Sequence, residues 1–318
     1  MANIKIEPLK WIGPQDKIIR ALVFSLDEPD TLYIGTDGNG VYKSNDLGAS
    51  WSAASSGLED LYIYALVIDP SNPSFLFAGT HAGVFKSIDH AGSWQAINSG
   101  LSDDSVFALA IDPANPAILY AGTYHNGVYK SNNSGNDWQA VNVGLVGSQI
   151  MALAIDPSIS STLYAGTYIG GINKSTNGGE SWMVVNNGLG DRDVFALAID
   201  PTNPSTVFAG TYYGGVYRSQ NNANNWQLVN SGLTESYIQT LLIDPIDPRI
   251  LIAGTDNGIY KTIDRGENWF PIHVGVLNPS VLSLAVSLAD PTILYVGTFN
   301  GIFTNQFDFR NFVPFIQK

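Results

Sequence analysis

The sequence predicts an all-β fold, a single seven-bladed propeller in which each blade is an antiparallel sheet of four strands. The dipeptide Gly-Thr returns every 43 or 44 residues along the 318-residue chain, and tryptophan returns with the same period. Four short strands in a unit of roughly 40 to 45 residues are typical of a propeller blade, so seven in-phase copies predict seven blades. The Gly-Thr pairs begin at Gly35, Gly79, Gly122, Gly166, Gly210, Gly254 and Gly297.

One unit, residues 106–145, shows how the four strands are recognised. Runs rich in β-branched, aromatic and aliphatic residues are the predicted strands, namely Phe107–Ile111, Ile118–Gly122, Gly127–Lys130 and Trp138–Asn142. The breakers Asp-Pro-Ala-Asn-Pro, Tyr-His-Asn-Gly and Asn-Asn-Ser-Gly-Asn separate these runs. No window holds a sustained helical period, so we expect almost no helix.

Closure of the ring depends on which end of the chain supplies the outer strand of blade seven. A blade cannot bury both of its faces alone, so neighbouring blades must stack around an axis. The C-terminal candidate contains Phe312, at the position where the other units have tryptophan, and the N-terminal candidate is Ile4–Trp11. We predict that the N-terminal segment takes this place, because pairing both chain ends within one blade locks the ring. One domain then spans residues 1–318.

The charge and composition exclude several classes of function. The net charge is −13, from 28 acidic and 15 basic residues. No basic stripe is present that could grip nucleic acid or an anionic membrane. The chain has no cysteine, which excludes thiol catalysis, cysteine-bound metals and disulfides. No apolar run approaches a membrane span and the N-terminus lacks a secretory signal pattern, so we expect a soluble, monomeric, cytoplasmic protein.

A loop of the form Ser-x-Asp-x-Gly-x-x-Trp lies between the third and fourth predicted strands; it is complete at residues 44–51, and five further units carry variants of it. Its acidic or amide side chain can accept hydrogen bonds from its own turn, its glycine supplies a positive φ, and its tryptophan packs over the hairpin. We therefore interpret this side chain as structural. Three loops carry neutral asparagine where a cation would need carboxylate, so no metal is expected. The position is occupied by Asp46, Asp89, Asn133, Asn177, Asn221 and Asp264.

This loop resembles the Asp-box, also called the bacterial neuraminidase repeat, and the resemblance covers essentially the whole chain. Similar families include sialidases, xyloglucan-active two-propeller glycosidases, sortilin-type receptors and the photosystem II assembly factors of cyanobacteria and plastids. The resemblance implies the propeller fold but no particular function, because these families include both enzymes and non-enzymes. The recurring Asp-Pro turns are interpreted as structural too, since identical turns need identical chemistry. They begin at Asp69, Asp112, Asp156, Asp200 and Asp244.

If the shared residues are structural, function is expected where the units differ. The loops between second and third strands and the connections between blades share one face, here called the loop face. The Asp-Pro and Asp-box turns form the opposite one, the turn face. Rigid aromatic rings beside polar groups suit a peptide or a sugar. We predict a ligand site on the loop face among Arg20, Tyr62, Tyr64, Tyr124, His125, Gln149, Tyr168, Asp193, Tyr212, Tyr213, Tyr237 and Gln239.

Three functions remain open. The first is a non-catalytic scaffold or binding module for a protein, peptide or glycan. The second is a carbohydrate-active enzyme, which would need two carboxylates about 5 to 10 Å apart; the candidates are Asp37, Asp193 and Asp256. The third is a recently amplified repeat protein without a specialised site.

The enzymatic alternative lacks further signals in the sequence. The resemblance to sialidases implies an arginine cluster, and the arginines near the predicted site do not match such a triad. The xyloglucan-active enzymes carry two propellers, whereas this sequence contains one. His81 and His125 fall in adjacent blades without a third ligand, so we expect neither a metal nor a cofactor.

Overall fold

The computed structural model describes residues 9–102, 105–272 and 279–305, and within these ranges it contains strands but no helix. Twenty-eight strands form seven antiparallel sheets of four strands each. The innermost strand of each blade packs against the innermost strands of both neighbouring blades. The innermost strand of blade seven packs against that of blade one, so the ring is closed. The predicted all-β, seven-bladed propeller is confirmed.

Four strands run from the channel to the rim in each blade. The inner strands are β2 (Ile19–Phe24), β6 (Ile63–Ile68), β10 (Val106–Ile111), β14 (Ile150–Ile155), β18 (Val194–Ile199), β22 (Ile238–Ile243) and β26 (Val281–Val286). The second strands are β3 (Leu32–Thr36), β7 (Leu76–Thr80), β11 (Leu119–Thr123), β15 (Leu163–Thr167), β19 (Val207–Thr211), β23 (Leu251–Thr255) and β27 (Leu294–Thr298).

The outer half of each blade is shorter than its inner half. The third strands are β4 (Val41–Ser44), β8 (Gly83–Ser87), β12 (Val128–Ser131), β16 (Gly171–Ser175), β20 (Val216–Ser219), β24 (Gly258–Thr262) and β28 (Gly301–Thr304). The outer strands are β1 (Lys10–Gly13), β5 (Ser52–Ala53), β9 (Gln95–Ala96), β13 (Gln139–Ala140), β17 (Met183–Val184), β21 (Gln227–Leu228) and β25 (Phe270–Ile272). The fourth strand predicted over Trp138–Asn142 is therefore only Gln139–Ala140. Very short edge strands limit pairing with other chains.

The N-terminal strand closes the ring, as predicted. Blade seven has the strand order β1-β28-β27-β26, with Lys10 opposite Thr304 and Trp11 opposite Phe303. The strand begins at Lys10, since Leu9 is described and lies just before it. Residues 1–8 of the predicted segment and Phe312 lie outside the described residues.

Leu9 occupies in blade seven the place that tryptophan holds in the other blades. Trp51 directly precedes the outer strand of blade one, and Leu9 directly precedes β1. Leu9 is buried and packs in one apolar cluster with Ile259 and Ile272 of blade six. Leucine preserves the apolar contact of the tryptophan, but its side chain has no N–H group that could donate a hydrogen bond.

The six turn tryptophans join neighbouring blades by hydrogen bonds. Each indole N–H donates to a backbone carbonyl beside the outer strand of the preceding blade, at 2.7 or 2.8 Å. For Trp51 the acceptor is the carbonyl of Ile12 in the N-terminal strand, at 2.8 Å. The same contact that links the other blades therefore also fastens blade one to the closing strand.

Two contacts explain why the Gly-Thr pair recurs in every blade. A Cβ atom on Gly122 would lie 2.5 Å from Cγ2 of Ile150 in the next blade, so only glycine allows the blades to pack this closely. The hydroxyl of the following Thr123 is buried and donates to the carbonyl of Gly127 at 2.9 Å. The glycine thus permits the contact between blades, and the threonine fixes the loop that follows.

Candidate functional site

Every inner strand carries a β-bulge near its loop-face end. The pairing with the second strand shifts register between the first and third residues in all seven blades. A bulge leaves its extra residue unpaired and changes the direction of that side chain. The seven partly exposed second residues therefore surround the loop-face mouth of the channel; they are Arg20, Tyr64, Phe107, Met151, Phe195, Gln239 and Leu282.

One aromatic cluster lies at the mouth on blades two and three and is here called the Tyr64 cluster. The rings of Tyr64 and Phe107 stack with centroids 4.4 Å apart and planes 7° apart. Tyr124 lies against Phe107 at 5.2 Å, and His125 meets Tyr124 edge-on at 4.7 Å. The structure thus brings three of the predicted site residues together with Phe107. Tyr62, which is 49% exposed, contacts the ring of His81 instead, at 6.4 Å.

A second cluster, the Tyr212 cluster, lies on blades five and six. The ring of Tyr237 packs edge-on against Tyr212 at 4.4 Å and against Phe195 at 5.2 Å. Tyr213 meets Tyr212 edge-on at 4.2 Å and is 73% exposed. These mutual contacts fix the rings while leaving the ring of Tyr213 accessible.

Arg20 is a cation at the mouth that already has a partner. Its Nε and Nη2 atoms donate to Oδ2 of Asp37 at 2.8 and 2.6 Å. Its guanidinium lies 5.7 Å from the centre of the Tyr64 ring. Burial is the main cause that raises the pKa of Tyr64 and of Tyr237, and the charge of Arg20 opposes the rise at both. Arg20 therefore acts electrostatically on both aromatic clusters.

Two carboxylates hold the loops beside the Tyr212 cluster. The Oδ2 atom of Asp191 accepts hydrogen bonds from the backbone N–H groups of Tyr213 and Gly214, at 2.6 and 2.9 Å. The Oδ1 atom of Asp193 accepts one from the N–H of Ile169 at 2.7 Å. Sequence reasoning selected Asp193 but missed Asp191, whose role depends on a loop of the same blade 22 residues away.

The remaining predicted site residues lie around the same mouth. Gln239 donates to the hydroxyl of Ser280 in blade seven at 2.6 Å. The backbone carbonyl of Gln149 accepts a hydrogen bond from the N–H of Tyr168 at 3.0 Å, and the side chain of Tyr168 is exposed. The amide side chain of Gln149 has no hydrogen-bond partner within residues 9–102, 105–272 and 279–305.

On the turn face, the aspartate or asparagine of each Ser-x-Asp-x-Gly-x-x-Trp-like turn bonds within its own turn. Asp46 accepts hydrogen bonds from the hydroxyl and the N–H of Ser50 and from the hydroxyl of Ser44. Hydrogen bonds from Ser50 and Ser93 hold the pKa values of Asp46 and Asp89 below the ordinary range for aspartate. The equivalent contacts are made by Asn133, Asn177, Asn221 and Asp264. All five Asp-Pro carboxylates likewise accept N–H bonds from their own turns.

An apolar depression at the turn-face end of the channel was missed from the sequence. It has a volume of about 420 Å³ and is lined by apolar side chains that include Val23, Leu66, Leu26 and Leu288. The last two are about half exposed and belong to adjacent blades one and seven. Their signal was present in the sequence, because Ser-Leu replaces Asp-Pro at these two turns alone among the seven.

The described residues were searched for metal-binding groups and for membrane-spanning helices. Among them, no group of three or more His, Asp or Glu side chains is arranged to hold a metal ion. The search for a helix long and apolar enough to cross a membrane, made over the same residues, found none.

Solved structures show what the fold is similar to. The GH74 xyloglucanase from Xanthomonas campestris matches with a TM-score of 0.75 at 18% identity, over 96% of this chain and 55% of that one. YCF48 from Cyanidioschyzon merolae matches with a TM-score of 0.74 at 15% identity, over 96% of this chain and 100% of that one. YCF48 bound to D1 peptide matches with a TM-score of 0.73 at 16% identity, over 94% and 96%.

These similarities define the class of protein, the seven-bladed β-propellers, and at such identities they show the fold alone. The chain spans about half the length of the GH74 enzymes that it matches. No protein-family model matches the chain, and no curated protein matches it.

Proposed function

We propose that this chain is a non-catalytic binding module that holds an extended segment of a partner protein at the loop-face mouth of its channel. The observation that carries the proposal is the pair of aromatic clusters around Tyr64 and Tyr212. Their rings are fixed by one another before any ligand binds, so a ligand gains apolar contact at a small cost in side-chain entropy. We also propose that the repeats are Asp-boxes, which the hydrogen-bonded turn of Asp46 supports.

A peptide suits the polar groups at this mouth. The amide of Gln149, unpartnered among the described residues, can both donate to and accept from a peptide main chain. The aromatic rings can take side chains that alternate along an extended strand. The peptide complex of YCF48 supports the proposal at the level of the fold, because that propeller is named as bound to a peptide.

The carboxylates of the loop face are less suited to glycoside hydrolysis. Asp37 holds the guanidinium of Arg20, and Asp193 holds the backbone of the neighbouring blade through Ile169. Two of the three candidate carboxylates therefore already have structural contacts. The second candidate function is glycan binding without hydrolysis, favoured by the exposed ring of Tyr213, since a sugar face can stack on such a ring.

The test is selection of linear twelve-residue peptides displayed on phage against the whole purified chain. Enriched peptides are then synthesised and titrated calorimetrically against the wild type and the variants Phe107→Ala and Tyr212→Ala. We expect each substitution to weaken binding at least tenfold, because each removes a ring from the centre of a cluster. Leu26→Ser on the turn face is the matched control and should leave the affinity unchanged.

Two results would overturn the peptide proposal. One is that no peptide is enriched, and the other is that enriched peptides bind the Phe107→Ala and Tyr212→Ala variants as tightly as the wild type. A glycan array probed in parallel separates the second candidate. Selective glycan binding that both substitutions abolish, without any peptide binding, would assign the mouth to a glycan instead.

A further inference from the structure

The described residues of the loop face carry more negative than positive charge. Among the described residues its loops contain eight carboxylates and three basic side chains, Lys17, Arg20 and Arg192. Arg20 is paired with Asp37, and no other ion pair forms on this face within the described ranges. The carboxylates without a cationic partner there are Asp16, Glu59, Asp60, Asp191, Asp193, Glu235 and Asp256.

One of these carboxylates lies beside exposed tyrosine rings. Among the described residues, the Oδ1 atom of Asp193 accepts a hydrogen bond from the N–H of Ile169, and its Oδ2 atom has no hydrogen-bond partner. Tyr168 immediately precedes Ile169 and is 40% exposed, and Tyr213 is 73% exposed. Partial desolvation is the main cause that raises the pKa of Tyr213, and the neighbouring Tyr212, Tyr168 and Asp193 add to this rise. The two rings and the carboxylate therefore form one corner of the mouth.

The corner is held in place before a ligand arrives. The carboxylate of Asp191 accepts the N–H groups of Tyr213 and Gly214 with Oδ2 and that of Asp193 with Oδ1. Asp193 in turn fixes Ile169, a residue with a φ of +74°. Both oxygens of Asp191 thus position the corner, whereas Oδ2 of Asp193 has no hydrogen-bond partner among the described residues and can face a ligand.

We infer that the partner segment carries a cationic side chain, an arginine or a lysine, that binds between Tyr168 and Tyr213 against the carboxylate of Asp193. This inference rests on the proposed function, because it specifies the partner of the same mouth. A cation gains from the faces of tyrosine rings and from the carboxylate at the same time, and guanidinium can stack flat on a ring while its N–H groups face the carboxylate. An anionic segment would meet repulsion from every unpaired carboxylate of the face.

The test uses a blocked synthetic peptide of alternating Gly-Ser and Arg, and its twin in which neutral citrulline replaces each arginine. Both are titrated against the full chain at low and at physiological salt. We expect the arginine peptide to bind at least tenfold more tightly than the citrulline peptide. Asp193→Asn and Tyr213→Ala should each remove most of that difference. Added salt should weaken binding of the arginine peptide more than that of its twin.

A control variant with the same change in net charge distinguishes binding at this corner from general attraction of a cationic peptide to an acidic protein. Glu180→Gln removes one exposed carboxylate from the turn face and should leave the preference for arginine unchanged. Equal losses for Asp193→Asn and Glu180→Gln would overturn the inference, since they would show attraction to net charge only. Folding of each variant is checked by its thermal transition before titration.

The outcomes distinguish this inference from the proposed function. Equal affinity for the arginine and citrulline peptides, or no binding of either, contradicts the cationic corner. If phage-selected peptides still occupy the mouth in a Tyr212-dependent manner, the binding function stands and only its cationic partner is wrong. If neither selected nor arginine peptides bind, both proposals are wrong.

Discussion

The Nζ atom of Lys130 lies 2.9 Å from the carbonyl oxygen of Gly178, and this hydrogen bond joins blade three to blade four. The hydroxyl of Tyr120 donates to the same oxygen at 3.0 Å, while the ammonium of Lys130 lies 5.5 Å from the centre of the Tyr120 ring. One buried carbonyl in the turn of one blade thus receives two donors from the preceding blade. Lys86 and Lys174 make the equivalent link from blades two and four.

We expect Lys130→Met to lower the free energy of unfolding by about 1 kcal/mol, because Tyr120 still satisfies the carbonyl of Gly178. Adding Tyr120→Phe leaves that carbonyl buried without a donor, at a further cost of about 1 to 3 kcal/mol. Chemical denaturation of both variants measures these costs. Lys10→Met, at an exposed position of the outer strand β1, is the control and should change little. A double variant as stable as the wild type would contradict the proposed link.

Trp51 ties the closing strand to blade one through the carbonyl of Ile12. Trp51→Phe keeps most of the packing but removes the indole N–H, so we expect faster hydrogen exchange in Lys10–Gly13 and a loss of about 1 kcal/mol. Trp138→Phe removes the equivalent bond within the ring and serves as the control. It should cost similar stability without changing exchange at the closing strand. Unchanged exchange in the Trp51 variant would disprove this role.

Gly122→Ala should destabilise the protein mainly through the side chain of Ile150, because the new Cβ would lie 2.5 Å from its Cγ2 atom and 2.9 Å from its Cβ atom. Overpacking of this kind costs about 1 to 3 kcal/mol. In the background of Ile150→Ala, which removes Cγ2, the same glycine substitution should cost less. A double-mutant cycle of unfolding free energies measures the coupling. Strict additivity would mean that the glycine is required for another reason.

The acid sensitivity of the turns should differ between blades. Hydrogen bonds from Ser50 and Ser93 lower the pKa values of Asp46 and Asp89. These carboxylates therefore contribute stability that is fully present above the pKa of an unfolded aspartate, about 3.9. That contribution is lost as the pH falls through the lower folded pKa values. We therefore expect the Asp46→Asn/Asp89→Asn double variant to lose less stability than the wild type on acidification.

The asparagine turns provide the reciprocal experiment. The side-chain amide of Asn177 donates to the hydroxyl of Ser181, at the place where Asp46 accepts from the hydroxyl of Ser50. In Asn177→Asp the hydroxyl of Ser181 can rotate and donate to the new carboxylate, so this variant should acquire the same acid-labile contribution. Urea denaturation between pH 7 and acid pH measures the slope for each variant. Identical slopes for the wild type, the double variant and Asn177→Asp would contradict the assignment.

The repeat predicted most of the fold because every blade uses the same contacts. Gly122 and Thr123 recur since every blade makes the same close contact with the next blade and the same loop, so seven copies of the pair predict seven blades. The N-terminal closing strand was also predictable. The place of Leu9 was not, because a single leucine before a strand has no repeat to identify it. Only the structure shows that Leu9 occupies the position of the tryptophan, because there it packs with Ile272 of blade six.

The candidate site, like the fold, has features that the sequence predicted and features that only the structure shows. The sequence by itself determined seven blades, a shared turn chemistry and a tyrosine-rich face, because these follow from residues that recur or vary at fixed positions. Only the tertiary structure decided that Tyr64 stacks on Phe107, that Arg20 is neutralised by Asp37, and that Asp193 retains an oxygen beside Tyr213. These relationships join residues of different loops and blades. Their distances are set by the curvature of the ring and not by spacing along the chain.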